Sequence, residues 1–261
     1  MPDLERMKHF VLVIGNSRSG STLLGSILDA HPNALVAHET RGSSNFWRNL
    51  DRRQILDEIA ENSQRNRETG RMSEGYQYLI DPAAKDPSRT YVIGDKVWNP
   101  ATLLLHGDFA LLPRLEGILG VPIKIIHAIR NPFDVIATMH ARSKAPIPDR
   151  TRWYFMHCEA ALAIREKWEP TRYLDFHHES LFADPAMAIA QLCKFLELPP
   201  DEAHIQACKR LLFSEPKKTR MNLAWTESHL RQILARMRDY DFLEQYAGED
   251  YSTLASVRLA R

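Results

Sequence analysis

The stretch from Phe10 to Ala30 constrains this chain more than any other. It opens with FVLVI, a short apolar run rich in β-branched residues, continues through the turn-rich GNSRSGS, and ends in TLLGSILDA with apolar residues at helical spacing. A continuous apolar run of this length suits a strand buried on both faces, whereas the spacing after Gly20 suits a helix. His31-Pro32 closes the helix, and ALVA at Ala34 to Ala37 reads as a second strand. Strand, helix and strand in this order form the building block of a parallel sheet covered by helices.

Later segments extend the pattern. Tyr91 to Gly94, Ile123 to Ile129 and Tyr173 to Phe176 read as strands. Helices are expected over Leu103 to Leu119, broken or kinked near Pro113, from about Phe133, over Asp149 to Trp168 and over Pro185 to Leu196, with a polar, helical stretch from Ser43 to about Asp81. The expectation is therefore an α/β chain with a P-loop-like three-layer fold, a central parallel sheet flanked by helices. No Pro/Gly/Ser linker or repeat divides the 261 residues, so one domain over 1–261 is expected, with a helical acceptor-side segment at about 43–90.

Bulk properties exclude several classes. The net charge of +1 argues against a broad nucleic-acid surface but leaves room for a local basic pocket. Three cysteines, Cys158, Cys193 and Cys208, have no metal-binding spacing, and so sparse a count fits a reducing compartment. No apolar segment reaches signal-peptide or membrane-span length, so the expected location is the cytoplasm.

The loop carries the chemistry. Gly15-xxxx-Gly20 followed by Ser21-Thr22 nearly meets the Walker pattern GxxxxGK followed by Ser or Thr. Glycines let successive N–H groups turn inward, and the helix N-terminus adds positive potential, so such a loop cradles phosphate. Ser21, however, stands where the Walker lysine belongs, and the cation has moved to Arg18. A planar guanidinium suits bidentate contact with phosphate or sulfonate oxygens. The loop thus fits a phosphate bearing a further anionic group better than a magnesium-bound triphosphate. A Gly/Ser turn without ligand is the plainer alternative.

In this stretch the chain resembles the sulfotransferases, whose 5′-phosphosulfate loop has the form (P/S)-(R/K)-S-G-(S/T)-(S/T)-L, met here by Ser17-Arg18-Ser19-Gly20-Ser21-Thr22-Leu23. The continuation LDAHPNALVAHETR looks like the tyrosylprotein branch and the bacterial enzymes near it. The resemblance implies PAPS as sulfuryl donor and PAP as product, no metal, Arg18 on the sulfuryl group, and Glu39 as catalytic base. A second motif, IRNPFDVIATMHARS, matches the 3′-phosphate site: Arg130 at a strand end, Thr138 in place of the usual serine, and Arg142, which matches an arginine of the tyrosylprotein branch. Thr138 and Arg142 lie one helical turn apart and share a face. Gly94-Asp95-Lys96 is similar to a segment whose lysine supports the transferring group, so Lys96 joins Glu39 and Arg18. His178-Glu179 falls where the family carries a tyrosine near the adenine, and Lys217, Lys218 and Thr219 fall in its late basic loop.

His38, beside Glu39, is expected to point elsewhere if the backbone is extended there. Arginines from Arg41 to Arg71 could cap the site and attract an anionic acceptor, but the plainer reading is a solvated helical face; Arg41 matches a residue that holds acidic peptides in the tyrosylprotein branch. Phe46, Trp47, Tyr76, Tyr78 and Trp98 are candidates to line an acceptor pocket. The expected acceptor is a small hydroxylated molecule, sugar or lipid, with no nucleic-acid partner. The oligomeric state stays open, a homodimer being one option. The competing readings are a P-loop small-molecule kinase using ATP and magnesium, and a non-catalytic nucleotide-binding protein.

Overall fold

The computed structural model describes residues 6–40, 50–73, 76–80, 89–212 and 215–256. The strands β1 (His9–Gly15), β2 (Ala34–His38), β5 (Val92–Lys96), β6 (Ile123–Ile129) and β7 (Tyr173–His177) form one sheet in the order β2-β5-β1-β6-β7, with every pairing parallel. Two short strands, β3 (Arg71–Ser73) and β4 (Tyr76–Tyr78), pair antiparallel beside it. The three-layer α/β architecture expected from the residues is the one observed.

Alternation along β1 shows how the layers are held. Phe10, Leu12 and Ile14 enter one core with Ile55 and Ile59 of α2 (Arg52–Thr69), Leu105 of α3 (Pro100–Gly107), Leu112 of α4 (Leu111–Leu119) and Ile164 of α6 (Ile147–Lys167). Val11 and Val13 enter the opposite core with Leu24 and Ile27 of α1 (Ser21–Ala30), Leu181 of α7 (Ser180–Ala183), Ile189 of α8 (Pro185–Leu196) and Ala207 of α9 (Glu202–Leu211). Both faces of β1 are therefore dry, which is why its sequence is a continuous apolar run. Each such aliphatic side chain contributes roughly 1.5–3 kcal/mol by leaving water. A third core joins α5 (Pro132–Ser143), α6 and α10 (Glu227–Met237).

One expectation is sharpened and another changes. Leu103 to Leu119 is broken rather than kinked near Pro113: α3 ends at Gly107, and α4 starts at Leu111. Pro113 sits in the first turn of α4, where its missing N–H has no helical acceptor to lose. Among the described residues of the polar stretch from Ser43, the helix is α2, which starts at a capping box between Asp51 and Gln54 and stops at Gly70 (φ 75). The chain then turns into β3 and β4. Among the described residues no helix is long and apolar enough to cross a membrane.

All five parallel strands end on the same edge of the sheet. The chain leaves β1 toward one side, through β5 and β2, and returns on the other through β6 and β7. In open α/β sheets this reversal leaves a crevice at the carboxyl ends of the strands.

Candidate active site

That crevice is a cleft of about 520 Å³. The loop after β1 forms its floor. Gly15, Arg18 and Gly20 have φ of 133, 73 and 85°, and Asn16 ties the loop to α6 by donating to the Tyr154 carbonyl at 3.2 Å. Ser17, Arg18, Gly20, Ser21 and Thr22 line the cleft. Ser19 does not: it is buried, and both its N–H (3.3 Å) and its hydroxyl (2.7 Å) donate to Asn16 O. The first helical bond of α1 runs from Leu24 N–H to Gly20 O at 3.0 Å. The N–H groups before it have no acceptor within the helix and lie at the positive end of its dipole.

Beyond β2 the backbone bends sharply. Glu39 has φ 53°, a left-handed conformation that costs a non-glycine residue on the order of 1–3 kcal/mol. Its N–H donates to Lys96 O and to Asp95 Oδ1, both at 2.9 Å. Asp95 Oδ2 accepts from the Thr40 N–H at 3.2 Å and hydroxyl at 2.8 Å. The Lys96 ammonium touches the Glu39 carboxylate, and both side chains line the cleft. His38 lines it too. The extended backbone on which a different direction for His38 depends is not met, because the left-handed Glu39 ends the alternation.

Beneath this corner lies Arg71, which is not part of a solvated helical face. It sits on β3, 1% exposed, donating to the carbonyls of Val36 and Ala37 and lying 3.4 Å from Asp29 Oδ2. Gly25 makes the space, since a Cβ there would stand 2.4 Å from Arg71 Nη1. Nothing in the local sequence separates Arg71 from its solvated neighbours; only the tertiary fold does.

The opposite wall carries the second motif. Arg130, at the end of β6, donates to Arg18 O at 3.3 Å and to Lys217 O. The hydroxyls of Thr138 and Thr219 are 2.9 Å apart, and both donate to Asp134 O, at 2.7 and 2.8 Å. Arg220 pairs with the buried Asp134 carboxylate and with Glu249 at 3.0 Å, anchoring the late loop on α5. Lys217 and Thr219 line the cleft with Arg130, Thr138 and Arg142, whereas Lys218 does not. Five cationic side chains, Arg18, Lys96, Arg130, Arg142 and Lys217, thus face one carboxylate, Glu39, among the described lining residues. Such an imbalance suits a polyanionic ligand. Asp134 and Asp95, which organise the two walls, were not singled out by sequence; Asp95 was visible only as the neighbour of Lys96.

His178 closes the cleft behind Gly20 and also borders a side pocket of about 90 Å³ lined by Leu23, Phe182, Leu211 and Leu212. Burial, and then Arg130, push His178 down to about 3; burial, and then Lys96 and Arg71, do the same to His38. A histidine whose folded value lies below its unfolded value of about 6.5 contributes stability that is complete above pH 6.5 and is lost as pH falls toward 3. Each therefore lowers stability by up to about 1.4 kcal/mol per pH unit in that window. Melting curves from pH 7.5 to 5 should show a falling Tm, with a shallower fall in His178→Gln. An unchanged slope in that variant would discount His178.

Tyr78, Trp98 and Met72 also line the cleft, and Met72 and Trp98 are 62% and 40% exposed. Arg41, Arg48, Phe46 and Trp47, and the side chain of Tyr76, lie outside the described residues. Away from the cleft, the fold brings His31, Cys193 and His204 within 4.8 Å of one another, a grouping that cysteine spacing did not suggest. Both His31 ring nitrogens are already engaged, Nδ1 with the Asn33 N–H (3.1 Å) and Nε2 with Pro199 O (2.9 Å), so this cluster is poorly suited to a metal.

The sulfotransferase domain model matches residues 8–252. No curated protein matches the chain closely enough to count as a relative. Among solved structures, the sulfotransferase domain of the Synechococcus olefin synthase is similar at 18% identity and a TM-score of 0.51, covering 98% of this chain and 96% of that one. A Mycobacterium avium sulfotransferase is similar at 11% identity and 0.54, covering 93% and 78%. A mouse sulfotransferase complexed with PAP is similar at 14% identity and 0.53, covering 94% and 92%. These likenesses speak for the fold; the family match, which spans nearly the whole chain and the entire cleft, means that this protein belongs to the sulfotransferase domain family.

Proposed function

We propose that the cleft moves the sulfuryl group of PAPS to the hydroxyl of a small acceptor, with Glu39 as the base. As a sulfotransferase the chain uses PAPS as its donor. The residue assignments within the cleft are our reading. One observation carries it: the loop bearing Arg18, the Glu39–Lys96 pair and the Arg130–Thr138–Arg142 set all line a single cleft. The loop N–H groups and Arg18 would hold the 5′-phosphosulfate, and Arg130, Thr138 and Arg142 the 3′-phosphate, with Lys217 and Thr219 above. Ser17, Gly20, Ser21 and Thr22 contribute the cradle. Ser19 shapes it from within, and Lys218 is left without a direct part. The side pocket behind His178 offers apolar walls suited to the adenine.

In the transfer the acceptor oxygen forms a bond to sulfur as the bond from sulfur to the bridging oxygen of the 5′-phosphate breaks. The acceptor proton goes to a Glu39 oxygen, and negative charge grows on the departing phosphate, beside Arg18 and Lys96. Glu39 and Lys96 stand at the ends of adjacent strands β2 and β5, and the phosphate loop follows β1, next in the sheet. Acceptor and donor sides therefore meet over neighbouring strands. The loop and its continuation resemble the tyrosylprotein branch, but exposed Met72 and Trp98 on the acceptor side favour a small molecule or lipid with an apolar body.

PAP without metal should stabilise the protein. At 100 times its Kd the gain is about 2.7 kcal/mol, roughly 5–10 °C in Tm for a chain of this size. Stabilisation only by ATP with magnesium would point instead to a kinase, and no shift with any nucleotide to a scaffold. An acceptor screen with labelled PAPS then identifies the hydroxyl.

A further inference from the structure

The backbone of Glu39 depends on one buried carboxylate. Asp95 is 1% exposed, and its two oxygens accept three donors: Oδ1 takes the Glu39 N–H, and Oδ2 takes the Thr40 N–H and hydroxyl. Every donor belongs to the two residues after β2. The Glu39 N–H is also received by Lys96 O, so β2 stays paired with β5 for one residue beyond His38 and turns only there. Left to itself the chain would relax from the left-handed conformation, because such a residue persists only where its surroundings over-determine it. The neighbouring residue on the same strand, Lys96, holds the other end of Glu39 by touching its carboxylate. Consecutive residues of β5 thus grip both the backbone and the side chain of the base.

We infer that Asp95 is a positioning residue for sulfuryl transfer, its carboxylate clamping the N–H groups of Glu39 and Thr40 so that the Glu39 carboxylate is aimed into the cleft beside Lys96. The inference rests on the reading of Glu39 as the base. A carboxylate is the right group for this task. In all three contacts the partner donates, whereas an asparagine would turn its NH₂ toward either the Glu39 N–H or the Thr40 pair and set a donor where an acceptor is needed. Burial pushes the Asp95 carboxyl up; the Thr40 hydroxyl and N–H oppose this first, and the charges of buried Arg71 and of Lys96 after them.

The test compares Asp95→Asn, Glu39→Gln and the double variant by steady-state kinetics, PAP affinity and melting temperature. Asp95→Asn is expected to lower kcat by about 10–100-fold, the scale on which misplacing a catalytic group is felt, with the Kd for PAP unchanged within about twofold. Added to Glu39→Gln it should lower kcat by less than about twofold more, because there is no longer a base to aim. A lowered Tm with kcat unchanged per folded enzyme would mean that Asp95 serves folding alone, and would overturn the inference. So would an Asp95→Asn effect that multiplies in full on the Glu39→Gln background while Glu39→Gln itself is crippled; that outcome leaves the base intact and removes only the clamp. Full activity in Glu39→Gln would remove both. If Asp95→Asn does not fold, Thr40→Val and Thr40→Ser carry the test. Loss of about 3–10-fold in kcat in the valine variant with recovery in the serine variant supports the clamp, and equal activity in both overturns it.

Discussion

Glu39→Gln should lower kcat by two or more orders of magnitude while leaving PAP affinity and Tm almost unchanged. A positioned base is typically worth about 10²–10⁴ in rate, and the substitution removes only basicity. Glutamine has the same shape, its carbonyl can still accept from Lys96, and the N–H contacts that hold position 39 come from the main chain. The Glu39 side chain is 34% exposed, so losing its charge pair with Lys96 should cost little stability. A proton acceptor acts in the transition state and not in donor binding, so kcat and kcat/KM are expected to fall together. Retention of activity within about fivefold would remove Glu39 from the mechanism and direct attention to His38. That neighbour lines the same cleft and, pushed down to about 3, stays neutral at ordinary assay pH.

What could be read from the residues divides along a physical line. The phosphate loop is local: strand, turn and helix N-terminus follow one another within Phe10 to Ala30, and spacing alone reveals them. The Arg130, Thr138 and Arg142 set is reached only through its resemblance to a family motif, and Arg130 by itself would pass for a surface arginine; the strand end of β6 and the helix α5 bring all three to the cleft. By contrast, Arg71 is one arginine among several in a polar stretch, and its burial depends on the gap left by Gly25 on α1, 46 positions away in sequence. Asp95 is likewise silent, because its partners Glu39 and Thr40 come from another strand, brought alongside by the β2–β5 pairing. The orientation of His38 is not legible in the sequence, because a period of two assumes extended backbone and Glu39 leaves it. Asp134 was part of a quoted motif, yet its role in holding Thr219 and Arg220 depends on a loop 85 residues later.

Gly20→Ala is expected to weaken PAP binding by about 100-fold or more and to destabilise the fold by roughly 2–5 kcal/mol, two costs that arise from one added methyl. The first is conformational: at φ 85° an alanine carries a Cβ into the left-handed region. The second is steric. The new Cβ would stand 2.1 Å from Nδ1 and 2.6 Å from Cε1 of His178. That ring has little freedom to retreat, because its residue is tied to Ile129 O by a 2.7 Å backbone bond and its far side packs edge-on against Phe182 at 5.0 Å. The loop must therefore yield, and with it the N–H groups at the start of α1. Replacing His178 by alanine in the Gly20→Ala background relieves the clash but not the backbone strain, so it should restore part of the stability and less of the affinity. Gly117→Ala is the control: it lies within α4 with nothing within 4 Å of its added Cβ, and it should gain about 0.5–1 kcal/mol. If Gly20→Ala binds PAP as tightly as the parent does, the loop is not the phosphate cradle.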